Sequence, residues 1–326
     1  MSPGAGRMLV LRTMEVPIDP EILVARALQA AAVPAFDMMT MPPAEARALL
    51  NQAAAVFNDG LPDMARVEDH RVDGPGGPVR LRVYTPQDVS AQGGIFYLHG
   101  GGWFACDVDT HDRMLRLLAQ QSGAVLFSAD YRLSPEHPFP APLDDAAAAW
   151  DWIEHHAAEH DVDPARIAFA GDSAGANLAL SLAIRLRDAG WTMPLGCALL
   201  YGCFAPALDT DSARTFGAGG YGLTAERMAW YWRNYLGAAQ DVPPVGATPL
   251  YADLAGLPPI FLGIAEADTV ADDSRLLAEK LRAAGVPVEL LLWPGAVHGF
   301  LQMTRDVALA RRAVGDVAEV IANWVG

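Results

Sequence analysis

Six short apolar runs alternate with helical stretches along this chain, and this feature constrains its fold more than any other. The runs are continuously apolar, as expected for strands buried on both faces of a parallel sheet. They are GGIFYLHG, GAVLFSADYR, ARIAFAGDS, LGCALLYG, PPIFLGIAEAD and PVELLLWPG; the helical stretches cover about residues 109–121, 141–160, 175–189, 270–284 and 304–325. The alternation predicts an α/β protein with one sheet covered by helices on both sides.

Three segments depart from this alternation. The first 60 residues contain two helical patches, PEILVARALQAA and PPAEARALLNQAAAVF, whereas ARVEDHRV and GPVRLRVYTP alternate with period two and predict an antiparallel pair of strands. Residues 204–247 form a long insertion in a crossover, which makes them a candidate lid. Aromatic side chains in such a helix most often serve packing; here they are Trp230, Tyr231, Trp232 and Tyr235.

Composition narrows the classes of function. With 39 acidic against 23 basic residues and a net charge of −16, the chain lacks the basic footprint of a nucleic-acid-binding protein. The cysteines Cys106, Cys197 and Cys203 form no CxxC pair and no metal-ligand spacing. No apolar run approaches the length of a membrane span, and residues 1–21 lack the apolar region of a signal peptide, so we expect a cytoplasmic protein.

The strongest single motif is G-x-S-x-G, formed by residues 171–175 where an apolar run meets a helical pattern. That context is typical of a nucleophile elbow, in which a serine on a sharp strand-to-helix turn exposes its hydroxyl group. The small neighbours allow the tight turn. Ser173 is therefore the predicted nucleophile.

A serine hydroxyl needs a base to accept its proton. In folds with this elbow the partners follow the serine in the order acid, then histidine. Of the eight histidines only His298 lies after Ser173, and it follows the last predicted strand. Asp268 ends the preceding strand and is the predicted acid, with Asp272 or Asp273 as the alternatives.

The three glycines of FYLHGGGWF predict an oxyanion hole. Backbone N–H groups can stabilise a tetrahedral oxyanion only if no side chain blocks its approach. We expect Gly100 and Gly101, together with Ala174, to donate these hydrogen bonds, and His99 to hold the loop in shape. A phosphate-binding loop is excluded because the run lacks G-x-G-x-x-G spacing and a following G-K-[ST].

Taken together, HGGGW, DYRLSPEHPFPAPLDDA, GDSAGANLA, AEAD and WPGAVHGF resemble the bacterial hormone-sensitive-lipase family (family IV) of carboxylesterases, over about residues 65–325. The resemblance implies an α/β-hydrolase fold with a mostly parallel eight-stranded sheet, flanking helices and a helical cap. The catalytic domain would comprise residues 56–203 and 248–326, and the cap residues 1–55 and 204–247. The resemblance also implies that the enzyme needs no metal and no cofactor.

The same resemblance extends the predicted site. It implies that Trp103, Asp172 and Tyr201 border the substrate pocket, and that five residues support the glycine loop: His99, Gly102, Asp130, Arg132 and Glu136. Two positions depart from the family pattern. Ala176 stands where many relatives have glycine, and Thr269-Val270 replaces the more usual Pro-Leu after the acid.

The sequence thus predicts a serine carboxylesterase for short acyl chains, with a small-molecule ester as partner and neither nucleic acid nor membrane. The resemblance also favours a homodimer through the last strand and the C-terminal helix. Two alternatives stay open: an amidase or formamidase with the same machinery, and a non-catalytic ligand receptor on the same fold. Such receptors lose the histidine, and His298 is present.

Overall fold

The fold is built on one eight-stranded sheet. The computed structural model describes residues 16–237 and 242–326. The strands are β1 (Arg66–Gly74), β2 (Gly77–Thr85), β3 (Gly94–Leu98), β4 (Val125–Asp130), β5 (Ile167–Asp172), β6 (Cys197–Leu200), β7 (Ile260–Ala267) and β8 (Val288–Val297). Their order across the sheet is β1-β2-β4-β3-β5-β6-β7-β8.

Strand pairing confirms the predicted mostly parallel sheet and its antiparallel exception. β1 pairs antiparallel with β2, and β2 antiparallel with β4, whereas β4, β3, β5, β6, β7 and β8 run parallel. Every residue of β3, β5 and β6 is buried, because helices cover both faces of the sheet there.

The helices occupy both faces of the sheet and one edge of it. They are α1 (Pro20–Ala31), α2 (Pro43–Ala55), α3 (Asp112–Ser122), α4 (Ala141–His156), α5 (Ala174–Ala189), α6 (Asp211–Phe216), α7 (Ala225–Leu236), α8 (Ala271–Ala283) and α9 (Ala308–Val325). The apolar core lies in two large clusters of buried side chains, one on each face of the sheet. In the described ranges, no helix is long and apolar enough to cross a membrane.

The carboxyl ends of the parallel strands meet at one edge of the sheet, and the loops that follow β3, β5, β7 and β8 carry the predicted site residues. This is the edge at which open α/β sheets bind ligands. The proposed cap segments contribute α1, α2, α6 and α7; residues 1–15 and 238–241 of those segments lie outside the described residues.

Candidate active site

Ser173 lies on a strained turn between β5 and α5. Its backbone angles, φ 53° and ψ −118°, are unfavourable for a residue with a side chain, and its N–H donates to the Leu200 carbonyl at 2.8 Å. Glycine is required beside it, since a Cβ at Gly175 would overlap the Leu98 carbonyl oxygen. The turn therefore matches the predicted elbow.

The structure brings Ser173, His298 and Asp268 into one hydrogen-bonded chain. Ser173 Oγ lies 2.8 Å from His298 Nε2, and His298 Nδ1 lies 2.7 Å from Asp268 Oδ2. A carboxylate can only accept a hydrogen bond, so Nδ1 carries the proton and Nε2 is free to accept the Ser173 hydroxyl proton. This is the arrangement that activates a serine nucleophile.

The protonation of His298 depends on its surroundings. Burial by itself would lower the pKa of the imidazole, but the buried Asp268 carboxylate, with a smaller contribution from Asp172, raises it above its ordinary value. Those carboxylates favour the imidazolium form. The site therefore stabilises the positive charge that His298 acquires when it takes a proton.

The two alternative acids point elsewhere. Asp272 Oδ2 accepts the Ser212 N–H at 2.8 Å, at the start of α6, and Asp273 Oδ2 accepts the Phe204 N–H at 2.7 Å. Burial raises the pKa of Asp273 to about 7. Both carboxylates hold the segment after β6 in place, and Asp268 alone of the three contacts His298.

The glycine loop after β3 requires a correction to the predicted oxyanion hole. The Gly100 N–H donates to Asp172 Oδ1 at 2.8 Å, so it is not available to an oxyanion. The N–H groups of Gly101, Gly102 and Ala174 have no acceptor among the described residues. Gly101 and Gly102 adopt φ angles of 113° and 64°, which glycine tolerates without strain. The structure thus contradicts Gly100 as a donor and leaves the N–H groups of Gly101, Gly102 and Ala174 as candidates.

A cavity of about 360 Å³ opens beside Ser173 and His298. Its walls come from the glycine loop, α1, α7 and the segment after β8. Beyond the residues already described, they include Arg26, Gln29, Cys106, Gly222, Leu223, Arg227, Met228, Tyr231, Gln302 and Met303.

Comparison with known proteins agrees with this geometry. A family model described as alpha/beta hydrolase fold matches residues 95–302. An acetyl esterase from Salmonella paratyphi A is 39% identical over 247 residues, which cover 75% of this chain and 76% of the relative. The chain belongs to the hormone-sensitive-lipase family of α/β hydrolases. It is a carboxylic ester hydrolase.

Solved structures of ester hydrolases share this family fold over nearly the whole chain. A hyperthermophilic esterase from Pyrobaculum calidifontis is 36% identical with a TM-score of 0.87, and the match covers 94% of this chain and 98% of that one. An ester-hydrolase from the metagenome of Lake Arreo is 34% identical with the same TM-score and the same coverage.

In this member of the hormone-sensitive-lipase family, Asp172 holds the glycine loop against the elbow. Besides the Gly100 N–H, its carboxylate accepts the Tyr97 hydroxyl at 2.8 Å and lies 3.3 Å from His111 Nε2. Burial by itself would raise the pKa of Asp172, but His111 and these hydrogen bonds outweigh burial and lower it. Asp172 also lines the cavity, as predicted, with its carboxylate already engaged by protein donors.

Two predicted pocket residues, Trp103 and Tyr201, lie behind the cavity wall instead. Trp103 is fully buried, with its ring stacked on Tyr235 at 4.0 Å. Tyr201 is buried with its ring 5.1 Å from that of His298, so it supports the imidazole from behind. Neither is among the residues that line the cavity. The family resemblance implied that both border the pocket, but their side chains are buried in the core.

The aromatic residues of α7 divide in the same way. Trp232 and Tyr235 pack on Trp103, and Trp230 packs on Phe104. Only Tyr231 of these four lines the cavity. The helix therefore presents one ring to the cavity and uses the others to attach itself to the segment that follows the glycine loop.

The predicted supporting residues act at different distances from the glycine loop. His99 Nδ1 lies 2.8 Å from the Gly100 carbonyl oxygen, and burial lowers the pKa of His99 to about 4, which keeps it neutral. Asp130 accepts the Val108 N–H at 2.7 Å. His99 thus contacts the glycine loop itself, and Asp130 contacts the segment that follows it.

The other two charged residues predicted to support the glycine loop, Arg132 and Glu136, differ from each other in their contacts. Glu136 pairs with Arg47, whose Nε donates to the Phe104 carbonyl at 2.6 Å, so its support of the loop is indirect. Arg132 is different: its guanidinium pairs with Asp145 of α4 at 2.8 Å. The expected contact between Arg132 and the glycine loop is therefore wrong.

Sequence reasoning missed the cavity residues on α1 and α7, although a signal existed. Arg26 follows the buried Ile22 by four residues, and Arg227 precedes Tyr231 by four, so each lies on the inward face of its helix.

A potential metal-ligating group in the described ranges is Glu68, His70 and His160, with donor atoms within 4.8 Å of one another. None of these three residues lines the catalytic cavity.

Proposed function

We propose that this protein is a serine carboxylesterase that hydrolyses short-chain acyl esters through an acyl-enzyme. Ser173 is the nucleophile, His298 the general base and acid, and Asp268 the residue that orients the imidazole and stabilises its charge. The observation that carries the proposal is the chain of two short hydrogen bonds, 2.8 Å and 2.7 Å long, from Ser173 through His298 to Asp268.

In the first half of the reaction, Ser173 Oγ attacks the ester carbonyl carbon while its proton passes to His298 Nε2. The carbonyl oxygen becomes an oxyanion, and the N–H groups of Gly101, Gly102 and Ala174 are the proposed donors to it. When the tetrahedral intermediate collapses, the bond to the leaving alkoxide breaks and His298 returns the proton to it. An alcohol leaves, and the acyl group stays on Ser173.

In the second half, a water molecule replaces the alcohol. His298 takes a proton from the water as its oxygen attacks the acyl-enzyme carbonyl carbon, and the same donors hold the second oxyanion. The bond to Ser173 Oγ then breaks, and His298 returns the proton to the serine. The carboxylic acid leaves, and the enzyme is restored.

The preference for short acyl chains rests on the size of the cavity and on a relative of the protein. We propose that α1, α2, α6 and α7 form a cap, since Arg26 and Gln29 of α1 and Met228 and Tyr231 of α7 line the cavity that contains Ser173. The Salmonella relative is an acetyl esterase. A cavity of about 360 Å³ fits a small acyl group.

The test combines one variant with a substrate panel. Ser173→Ala should abolish hydrolysis of p-nitrophenyl acetate and butyrate, and should not be labelled by an organophosphate, while its thermal unfolding stays like that of the wild type. Wild-type turnover in this variant would contradict the proposal. The amidase alternative is tested with p-nitroacetanilide, the amide counterpart of p-nitrophenyl acetate. That alternative requires kcat/KM for the amide to equal or exceed kcat/KM for the ester.

A further inference from the structure

Two arginines from separate helices line the catalytic cavity. Arg26 of α1 and Arg227 of α7 line the same cavity as Ser173 and His298. Both also line an adjoining cavity of about 410 Å³. The two guanidinium groups therefore belong to the space that a substrate must enter to reach the serine.

Neither arginine is neutralised within the described part of the chain. The Arg26 side chain donates one hydrogen bond, to the Gly220 carbonyl at 3.3 Å, and the buried Arg227 Nε has no hydrogen-bond partner. Other partly buried arginines differ: Arg82, Arg116 and Arg132 each form an ion pair with an aspartate. A partly buried cation without a counter-charge is costly, and the protein as a whole has a large excess of acidic residues.

Two carboxylates line the same cavities as the arginines, and both already accept hydrogen bonds. Asp172 accepts hydrogen bonds from the Tyr97 hydroxyl and the Gly100 N–H, each at 2.8 Å, and Asp37 of the adjoining cavity accepts the Met39 N–H at 3.0 Å and the Thr40 hydroxyl at 3.3 Å. Neither forms an ion pair with Arg26 or Arg227.

The two cations also act on each other. Burial lowers the pKa of Arg26, and the positive charge of Arg227 lowers it further, so the two guanidinium groups are close enough to repel. An anion placed between them would relieve that repulsion and satisfy their unpaired N–H groups at once.

We propose that the cavity selects esters whose acyl or alcohol part carries a carboxylate, and that Arg26 and Arg227 bind this carboxylate while Ser173 attacks the ester carbonyl. The inference rests on the proposed esterase function and specifies its substrate class. A planar guanidinium matches a carboxylate through two parallel hydrogen bonds. A singly charged group also suits walls that include Leu223, Met228 and Met303, because a doubly charged phosphate loses more hydration there.

The test compares charged esters with neutral esters of similar shape in two arms. The acyl arm pairs p-nitrophenyl hydrogen adipate with p-nitrophenyl hexanoate, and the alcohol arm pairs 4-acetoxybenzoate with 4-acetoxybenzamide. In at least one arm, kcat/KM of the wild type for the charged ester should exceed that for its neutral partner by about tenfold, and added salt should reduce this ratio. The arm that shows the preference assigns the carboxylate to the acyl or the alcohol part.

Three variants locate the effect. Arg26→Gln and Arg227→Gln should each lower the ratio of charged to neutral kcat/KM by about tenfold. Arg233→Gln is the matched control, since Arg233 lies on the same helix as Arg227 but is exposed and lines no cavity wall. It should leave the ratio unchanged. Thermal unfolding of each variant checks that the fold is retained.

The outcomes separate this inference from the function on which it rests. Hydrolysis of neutral esters with no preference in either arm, or a ratio unchanged by Arg26→Gln and Arg227→Gln, would overturn the carboxylate subsite and leave the esterase intact. If no ester is hydrolysed, the proposed function fails, and calorimetric titration of Ser173→Ala with 4-acetoxybenzoate and with p-nitrophenyl hydrogen adipate still tests the subsite. Binding of either probe that Arg227→Gln weakens about tenfold supports the subsite, and absence of binding by both refutes it.

Discussion

Asp268, Asp272 and Asp273 lie within six residues of one another, yet each carboxylate has a different partner. Asp268 accepts from the His298 imidazole, Asp272 from the first turn of α6, and Asp273 from the loop after β6. Residue type alone could not separate them. Asp268 directly follows the last residue of β7, and this position is the feature of the sequence that favoured it as the acid.

This difference predicts a ranking of variants. Asp268→Asn should lower kcat by orders of magnitude, because the amide lacks the charge that stabilises the imidazolium and can favour the wrong tautomer. Asp272→Asn should lower stability by about 1 kcal/mol, as expected for a weakened helix cap, and should leave kcat within a few-fold of the wild type. Steady-state kinetics measures kcat, and thermal unfolding measures stability. A severe loss of kcat in Asp272→Asn alone would contradict the assignment of Asp268 as the acid.

The pH dependence follows from the raised pKa of His298. The imidazole must be neutral to accept the Ser173 proton, and Asp268 holds its pKa above the ordinary value. Activity is therefore lost as the pH falls through this raised pKa, so kcat/KM should rise with a midpoint above about pH 6.5. A profile of kcat/KM from pH 5 to 9 checks this. A midpoint at or below pH 6 is the contrary result.

At the residue level, chain order restricts the choice for some positions, whereas a partner that is distant in sequence cannot be predicted. Ser173 and His298 were brought together as expected because only one histidine follows the elbow. Gly100 was assigned as a donor because it belongs to the glycine run, and the assignment failed because its N–H partner, Asp172, lies 72 residues away on another strand. No local pattern shows that such a hydrogen bond forms.

At the scale of elements, one carboxylate links the elbow to the glycine loop. Asp172 ends β5 and holds Gly100, which follows β3, so it sets the distance between Ser173 and the proposed oxyanion donors. This arrangement makes Asp172 a positioning residue whose role can be separated from that of the triad.

Asp172→Ala should therefore lower kcat by about 100-fold, the range found when an oxyanion donor is lost, because the loop loses its anchor. Asp172→Asn keeps an oxygen that can accept the Gly100 N–H and should retain more activity than the alanine variant. The two variants are compared by kcat and KM for p-nitrophenyl butyrate, with Tyr97→Phe as a milder control that keeps the Gly100 contact. Equal kcat in Asp172→Ala and the wild type would show that the loop needs no anchor.

Most elements were predictable because their burial pattern is visible in the sequence. All six apolar runs are strands, and the helical patches at residues 20–31 and 43–55 are helices. Boundaries were less accurate: the last helix starts at Ala308 rather than near residue 304, because Phe300–Met303 form a separate 3₁₀ turn. Such a turn has no distinct hydrophobic period.

At the scale of the whole molecule, we expect the size of the cavity to limit the length of the acyl chain. Each methylene that fits contributes about 0.8 kcal/mol, roughly fourfold in kcat/KM, until the pocket ends. We expect kcat/KM to rise from p-nitrophenyl acetate toward hexanoate and to fall before decanoate, with no activation by a lipid interface. The p-nitrophenyl ester series from acetate to palmitate measures this. An optimum at decanoate or longer would indicate an open acyl channel.

The cavity itself could not be predicted from the sequence. Arg26 and Arg227 are 201 positions apart, and they line the same cavity only because α1 and α7 both border it. The mostly parallel pairing and the eight strands followed from the alternation of elements and the family resemblance, whereas the order of the strands was not predicted. The packing of the outer helices followed from neither, since it depends on side-chain contacts between distant segments.

Thr269, the residue after the proposed acid, has a consequence for how an active molecule is assembled. Its hydroxyl donates to the Leu223 carbonyl at 2.6 Å, and its own carbonyl accepts the Ser212 hydroxyl at 3.0 Å. These contacts span 46 and 57 residues, and both reach the segment between β6 and β7. Closing such long loops is slow compared with local structure formation. The sheet itself closes longer loops, since β3 pairs with β5 through Gly94 and Ile167, and β6 pairs with β7 through Cys197 and Ile260. We therefore expect enzymatic activity to return together with the native sheet during refolding, and not in a separate later phase.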